Sequence, residues 1–112
     1  MSIIDQATFD ELKQMSGAEF INELIDTFLD DAPKLVSQIR AALEAQDADS
    51  FRRAAHSLKS NAATFGAARL AELAKELEML GKENRLGETG TKLTLLDEAV
   101  TSASEELKGL KS

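Results

Sequence analysis

Apolar residues recur at steps of three and four along nearly all of the 112 residues, and a single proline, Pro33, interrupts them. That spacing lines one face of a helix, whereas a strand would alternate. Five stretches carry the pattern. A short one runs from Asp5 to about Met15 with Phe9 and Leu12, and Ser16-Gly17 closes it. A long one runs from Ala18 to about Ala45 on two rows, Phe20, Leu24, Phe28, Leu35, Ile39, Leu43 and Ile21, Ile25, Leu29, Val36. Pro33 lacks an amide donor, so a kink or split is predicted near Asp30. The third opens after Asp47-Ala48-Asp49-Ser50, which is rich in N-cap residues, and continues to about Phe65. Its stripe is Phe51, Ala54, Ala55, Leu58, Ala62 and Phe65, with Gly66 as the stop. The fourth spans about Ala68 to Lys82, with Leu70, Leu73, Ala74, Leu77 and Leu80. Gly81, Gly87 and Gly90 bracket a polar loop, and the fifth runs from about Thr91 to Leu110.

Four amphipathic helices with short connections bury their stripes best against one another. The expected fold is all-α: an antiparallel four-helix bundle with a short additional N-terminal helix, one domain over residues 1–112.

Charge and cysteine content narrow the function classes. The chain has no cysteine, which excludes disulfides, Cys-ligated zinc and thiol catalysis. A net charge of −7 disfavours nucleic acid and anionic membrane surfaces, which both need clustered cations. No apolar run approaches the roughly 18–20 residues of a membrane span. The first five residues carry neither a basic segment nor an apolar signal core, so a cytoplasmic location is expected. Met1 and the compact length favour a free-standing protein over a piece of a larger one.

The single histidine, His56, falls on the third helix. At about 100° per residue it lies about 150° from the stripe centre near Leu58, so it faces outward. Arg52, Ser60 and Ala63 share that face, with Lys59 on its flank. Such a face is either an ordinary solvated one or a reactive site. From Phe51 through Ala71 there are four cations, Arg52, Arg53, Lys59 and Arg69, and no acidic residue. The rest of the chain therefore sums to −11 against −7 overall. A cationic island suits an anion carried on the imidazole, and Lys59 sits one turn on from His56. If the third and fourth helices form a hairpin about Gly66-Ala67, His56 is level with Glu78. A carboxylate there can accept from Nδ1–H and leave Nε2 as the nucleophile, although most helical glutamates are merely solvated.

The run Ala55-His56-Ser57-Leu58-Lys59-Ser60-Asn61-Ala62-Ala63-Thr64-Phe65-Gly66-Ala67 closely resembles the signature of histidine-containing phosphotransfer (HPt) domains, the four-helix modules of two-component phosphorelays. That signature reads Ala-His-x-Leu-Lys-Gly, then small residues and a second glycine; His56, Leu58, Lys59 and Gly66 match it. Phe20, Leu24, Phe28-Leu29 and Pro33 match the pattern that precedes it, and Arg53-Ala54-Ala55 is similar to the usual approach to the histidine. Ser60 departs from the frequent glycine, and as a small hydroxyl residue it is expected to preserve function.

The resemblance implies phosphoryl transfer between Nε2 of His56 and the aspartate of a response-regulator receiver domain. Lys59 would stabilise phosphate charge and Glu78 would support the histidine. The docking surface would be the exposed side of the third helix, with Arg52, Arg53, Ser60, Ala63 and Gly66. Partners would be receiver domains and a sensor or hybrid histidine kinase, with the protein itself monomeric. No cofactor is expected on this chain; Mg²⁺ would belong to the receiver. Without a Gly-rich nucleotide loop, the chain is expected to be a phosphoryl carrier that does not phosphorylate itself.

The alternative is a helical interaction module of the same fold without transfer. Metal or haem ligation through His56 has too few neighbouring ligands. A hydrolase built on Ser57 or Ser60 has no evident acid or oxyanion hole.

Overall fold

Each of the five apolar stretches forms a helix. The structure, a computed structural model, describes residues 4–111. Within them α1 is Gln6–Ser16, α2 Ala18–Glu44, α3 Ala48–Thr64, α4 Ala68–Lys82 and α5 Lys92–Leu110. A short 3₁₀ turn, Leu86–Glu88, lies between α4 and α5. Residues 1–3 and 112 of the expected domain lie outside the described residues. The helices α2, α3, α4 and α5 pack in a closed ring, each on its chain neighbour and α5 back on α2. The pairing of α3 with α4 is the most extensive, and α1 rests on α2.

The core is aliphatic and rich in alanine. Ile21, Ile25, Ile39, Phe51, Leu58, Leu70, Leu77, Leu96 and Leu107 are fully buried, and so are Ala32, Ala55, Ala62, Ala74 and Ala103. Small side chains at inward positions let helix axes approach closely. Phe28 and Phe65 meet edge to face, ring centres 5.6 Å apart, and tie α2 to the end of α3.

Three expectations need correction. Pro33 does not split α2, which is continuous from Ala18 to Glu44. Pro33 is exposed, so water can take the Leu29 carbonyl that loses its donor, while buried Phe28, Ala32 and Val36 hold the inward face. Phe20 does not belong to the core row: it is 50% exposed. The inward row of α2 is Ile21, Ile25, Phe28, Ala32, Val36, Ile39 and Ala42, so two alanines take places that the larger residues had suggested for others. Gly81 does not belong to the loop. It lies inside α4, where an added Cβ would sit 3.0 Å from the N, Cα and Cβ of Arg52. The two helices touch there through backbone, which only glycine permits.

Candidate functional site

The site begins with the start of α3. Asp47 caps it, accepting from the Ser50 amide at 3.1 Å and the Ser50 hydroxyl at 2.8 Å. From that fixed start Phe51, Ala54, Ala55, Leu58 and Ala62 point inward. Their burial sets the rotation of the helix and turns His56 outward, its side chain 56% exposed. At the other end Gly66 adopts φ +71°, and the Ala67 amide returns to the Ala62 carbonyl at 2.9 Å. The chain reverses there into α4, which brings Glu78 level with His56.

Glu78 is the centre of the cluster. Its Oε2 lies 2.6 Å from Nδ1 of His56, and its Oε1 accepts from the Lys59 ammonium, also at 2.6 Å. The carboxylate is 15% exposed and Lys59 30%. The hydrogen bond from Lys59 holds the Glu78 carboxyl below its ordinary value, burial opposes this, and the bond to His56 adds to the lowering. An ionised carboxylate only accepts, so Nδ1 of a neutral His56 must be the donor. Nε2 then keeps its lone pair and has no hydrogen-bond partner among the described residues.

The structure divides the residues that the sequence grouped together. Arg52 and Arg53 both pair with Asp49, at 2.8 and 3.0 Å, so much of their charge is answered within α3. Asp49 lies just outside the acid-free window, which is why the island looked stronger than it is. Arg69 is exposed but stands nine residues before Glu78, half a turn round α4, on the far side from His56. Two cations outside the window take its place: Lys75 and Lys82, three residues before and four after Glu78, lie exposed on the same flank. The (i, i+3) and (i, i+4) spacings about Glu78 were the signal that would have found them.

Ser60 and Ala63 are exposed beside His56. Gly66 is not: a Cβ there would lie 2.8 Å from Thr8 Cβ, and its carbonyl accepts from the Asp5 amide at 2.9 Å. The start of α1 packs against it and leaves it half-buried. On the other flank of α3, Leu24 and Thr27 face Asn61 and Thr64 across a groove of about 100 Å³. Phe20, one turn before Leu24, extends that line with exposed apolar surface. The reading of Phe20 as core had hidden this.

Among the described residues no three His, Cys, Asp or Glu side chains come together as metal ligands. No helix there is long and apolar enough to cross a membrane.

Comparison with known proteins places these features in context. The Hpt domain family model matches residues 23–106. The chain is 30% identical over 88 residues to the phosphorelay protein LuxU of Vibrio harveyi, covering 79% of this chain and 77% of that one. It is 33% identical over 75 residues to the sensor protein TorS of Escherichia coli K12; this covers 67% of the chain but 8% of TorS. Among solved structures, histidine-containing phosphotransfer protein B of Pseudomonas aeruginosa PAO1 superposes with a TM-score of 0.90 at 27% identity, over 96% of this chain and 93% of that one. The HPT domain of a sensor hybrid histidine kinase from Shewanella shares the fold, with a TM-score of 0.77 at 18% identity over 96% and 92% of the two chains.

Proposed function

The chain belongs to the Hpt domain family, and from that membership we propose that His56 is its phosphoacceptor, reacting through Nε2 with the phosphoaspartate of a receiver domain. Its function is histidine phosphotransfer in a two-component phosphorelay, with histidine kinases and receiver domains as partner classes. One observation carries the assignment to His56: Nδ1 is tied to Glu78 at 2.6 Å while the exposed ring leaves Nε2 open.

The step balances without a base. The Nε2 lone pair attacks phosphorus, the P–O bond to the aspartyl carboxylate breaks, and the aspartate leaves with that electron pair. The ring gains positive charge and keeps its proton on Nδ1, where the Glu78 carboxylate already stands. A preorganised negative charge beside a developing positive one lowers the barrier without reorganisation. In the reverse step the ring leaves as neutral imidazole. The acceptor carboxylate and the metal ion that steadies the phosphoryl oxygens belong to the receiver. This chain is a carrier, and the kinase step occurs on its partner.

The docking face is the outer side of α3, with Arg53, Ser60 and Ala63 around His56, the α4 flank with Lys75 and Lys82, and the apolar line of Phe20 and Leu24 on α2. Cations suit the acidic pocket of a receiver, and Phe20 supplies the apolar contact that such an interface needs.

The test is incubation with phosphorylated receivers, comparing the native protein with His56→Gln. An acid-labile, alkali-stable label on the native chain and none on the variant supports the reading. Binding of receivers without any transfer would instead identify an interaction module of the same fold.

A further inference from the structure

Gly17 is the whole of the connection between α1 and α2, and it stands at φ +84° and ψ 157°. That region of backbone space is open to glycine and costly for any other residue. We propose that α1 is an exchangeable arm between two copies of this chain. Gly17 straightens to helical angles, α1 and α2 become one helix from Gln6 to Glu44, and each α1 caps the bundle of the other copy. The single chain with α1 folded back is the main form at low concentration. The inference stands apart from the role of His56.

Three observations converge. Helical bonding reaches Gly17 from both sides: its amide donates to the Lys13 carbonyl at 2.8 Å, and its carbonyl accepts from the Ile21 amide at 3.0 Å. In a continuous helix the amides of Ala18, Glu19 and Phe20 would donate to the carbonyls of Gln14, Met15 and Ser16. The break forgoes those bonds, and no side chain caps α2 in their place. The second observation is how the arm is held. Phe9 is 2% exposed, the Ile4 amide donates to Glu106 at 3.2 Å, and the Asp5 amide donates to the Gly66 carbonyl at 2.9 Å. Each contact joins the arm to the body of a bundle, so a second bundle offers identical partners and exchange loses none of them. Once fused, the 11 residues of α1 reach about 16 Å beyond α2, far enough to lie on a neighbouring bundle. Third, Met15 is 86% exposed and Phe20 50%, one on each side of the hinge. In an exchanged pair the two hinges lie side by side, which brings these apolar side chains together and out of water. A short connection in a strained conformation is what invites such exchange.

The test compares the native chain, Gly17→Ala and a variant with two glycines inserted after Gly17. Circular dichroism checks the helices, and size-exclusion chromatography with light scattering gives the mass. A Cβ at Gly17 meets nothing within 4 Å, so Gly17→Ala acts through the backbone angle alone. Alanine disfavours the folded-back angles and favours the helix in both chains of a pair, so dimerisation should strengthen about a hundredfold or more. The inserted glycines relax the connection and weaken the fused helix, so that variant should stay monomeric at millimolar concentration. The native protein, refolded from urea at the same concentration, should yield a separable dimer fraction. The arrangement is read from pairs made by refolding isotope-labelled with unlabelled Gly17→Ala chains. Thr8 lies against Gly66, and the filtered NOE between them should run from one chain to the other. The proposal is overturned if Gly17→Ala stays monomeric, or if the native protein yields no dimer. It is equally overturned if the inserted variant dimerises as strongly as Gly17→Ala, or if the Thr8–Gly66 contact remains within one chain. The native and inserted chains decide the matter even if Gly17→Ala does not fold.

Discussion

Gly81→Ala is the substitution whose sign best tests the account of the α3–α4 contact. Inside a helix, alanine in place of glycine gains at most about 1 kcal/mol of propensity. Here the new methyl would stand 3.0 Å from the N, Cα and Cβ of Arg52. Carbon atoms rest at about 3.5–4.0 Å, and the obstacle is backbone that cannot swing aside. Overpacking of this kind costs about 1–3 kcal/mol, so the net effect is a loss of about 1 kcal/mol, a fall in Tm of roughly 4–6 °C for a domain of this size. Relief comes by separating the helices. Gly81 is three residues from Glu78 and Arg52 four from His56, so the 2.6 Å bond between Glu78 and Nδ1 should lengthen as well. The assay is thermal unfolding followed by circular dichroism, beside Gly109→Ala, where nothing lies within 4 Å of the added methyl. Gly109→Ala should raise Tm slightly. If Gly81→Ala also raised it, the close backbone contact would not be a constraint and the reasoning would fail.

Other perturbations separate stability from recognition. Phe20→Ser should leave stability within about 0.5 kcal/mol, because the ring is half exposed, yet weaken receiver binding by about tenfold in titration calorimetry. Leu58→Ala, which empties a fully buried position behind His56, should cost about 2–5 kcal/mol and lower the urea midpoint accordingly. The Glu78 carboxyl is held below the ordinary glutamate value of 4.5, first of all by the hydrogen bond from Lys59. Its bonds to Lys59 and His56 therefore contribute stability that is present above about that pH and is lost as pH falls through the lower folded value. Urea unfolding should show the native protein more stable than Glu78→Gln near neutrality, with the difference vanishing on acidification.

Helix limits were legible because capping and breaking residues stand at them: Asp47 opens α3 and Gly66 ends it, as their types suggest. The register of His56 with Glu78 was legible because a tight reversal at Gly66-Ala67 leaves two helices little freedom to slide. What failed concerns which neighbours a residue meets. Pro33 breaks a bare helix, but an exposed proline on a helix packed along its other side costs less than the burial it would disrupt. Phe20 looked like core because hydrophobicity does not report that Ile21 and Ile25 already fill the inward face. The charge window counted cations without Asp49, and it kept Arg69 while omitting Lys75 and Lys82, because position along the chain does not follow the turn of α4. Gly66 matched the family pattern, yet its contacts with Thr8 and Asp5 needed α1 in place to be seen.

The most direct test is ³¹P and ¹⁵N NMR of the ¹⁵N-labelled protein after phosphorylation by a receiver. The chain has one histidine, so any phosphohistidine signal belongs to His56. The account predicts one ³¹P resonance coupled to Nε2, with the proton retained on Nδ1 beside Glu78. Phosphorus coupled to Nδ1, or a stable phosphoryl group on another residue, would contradict it.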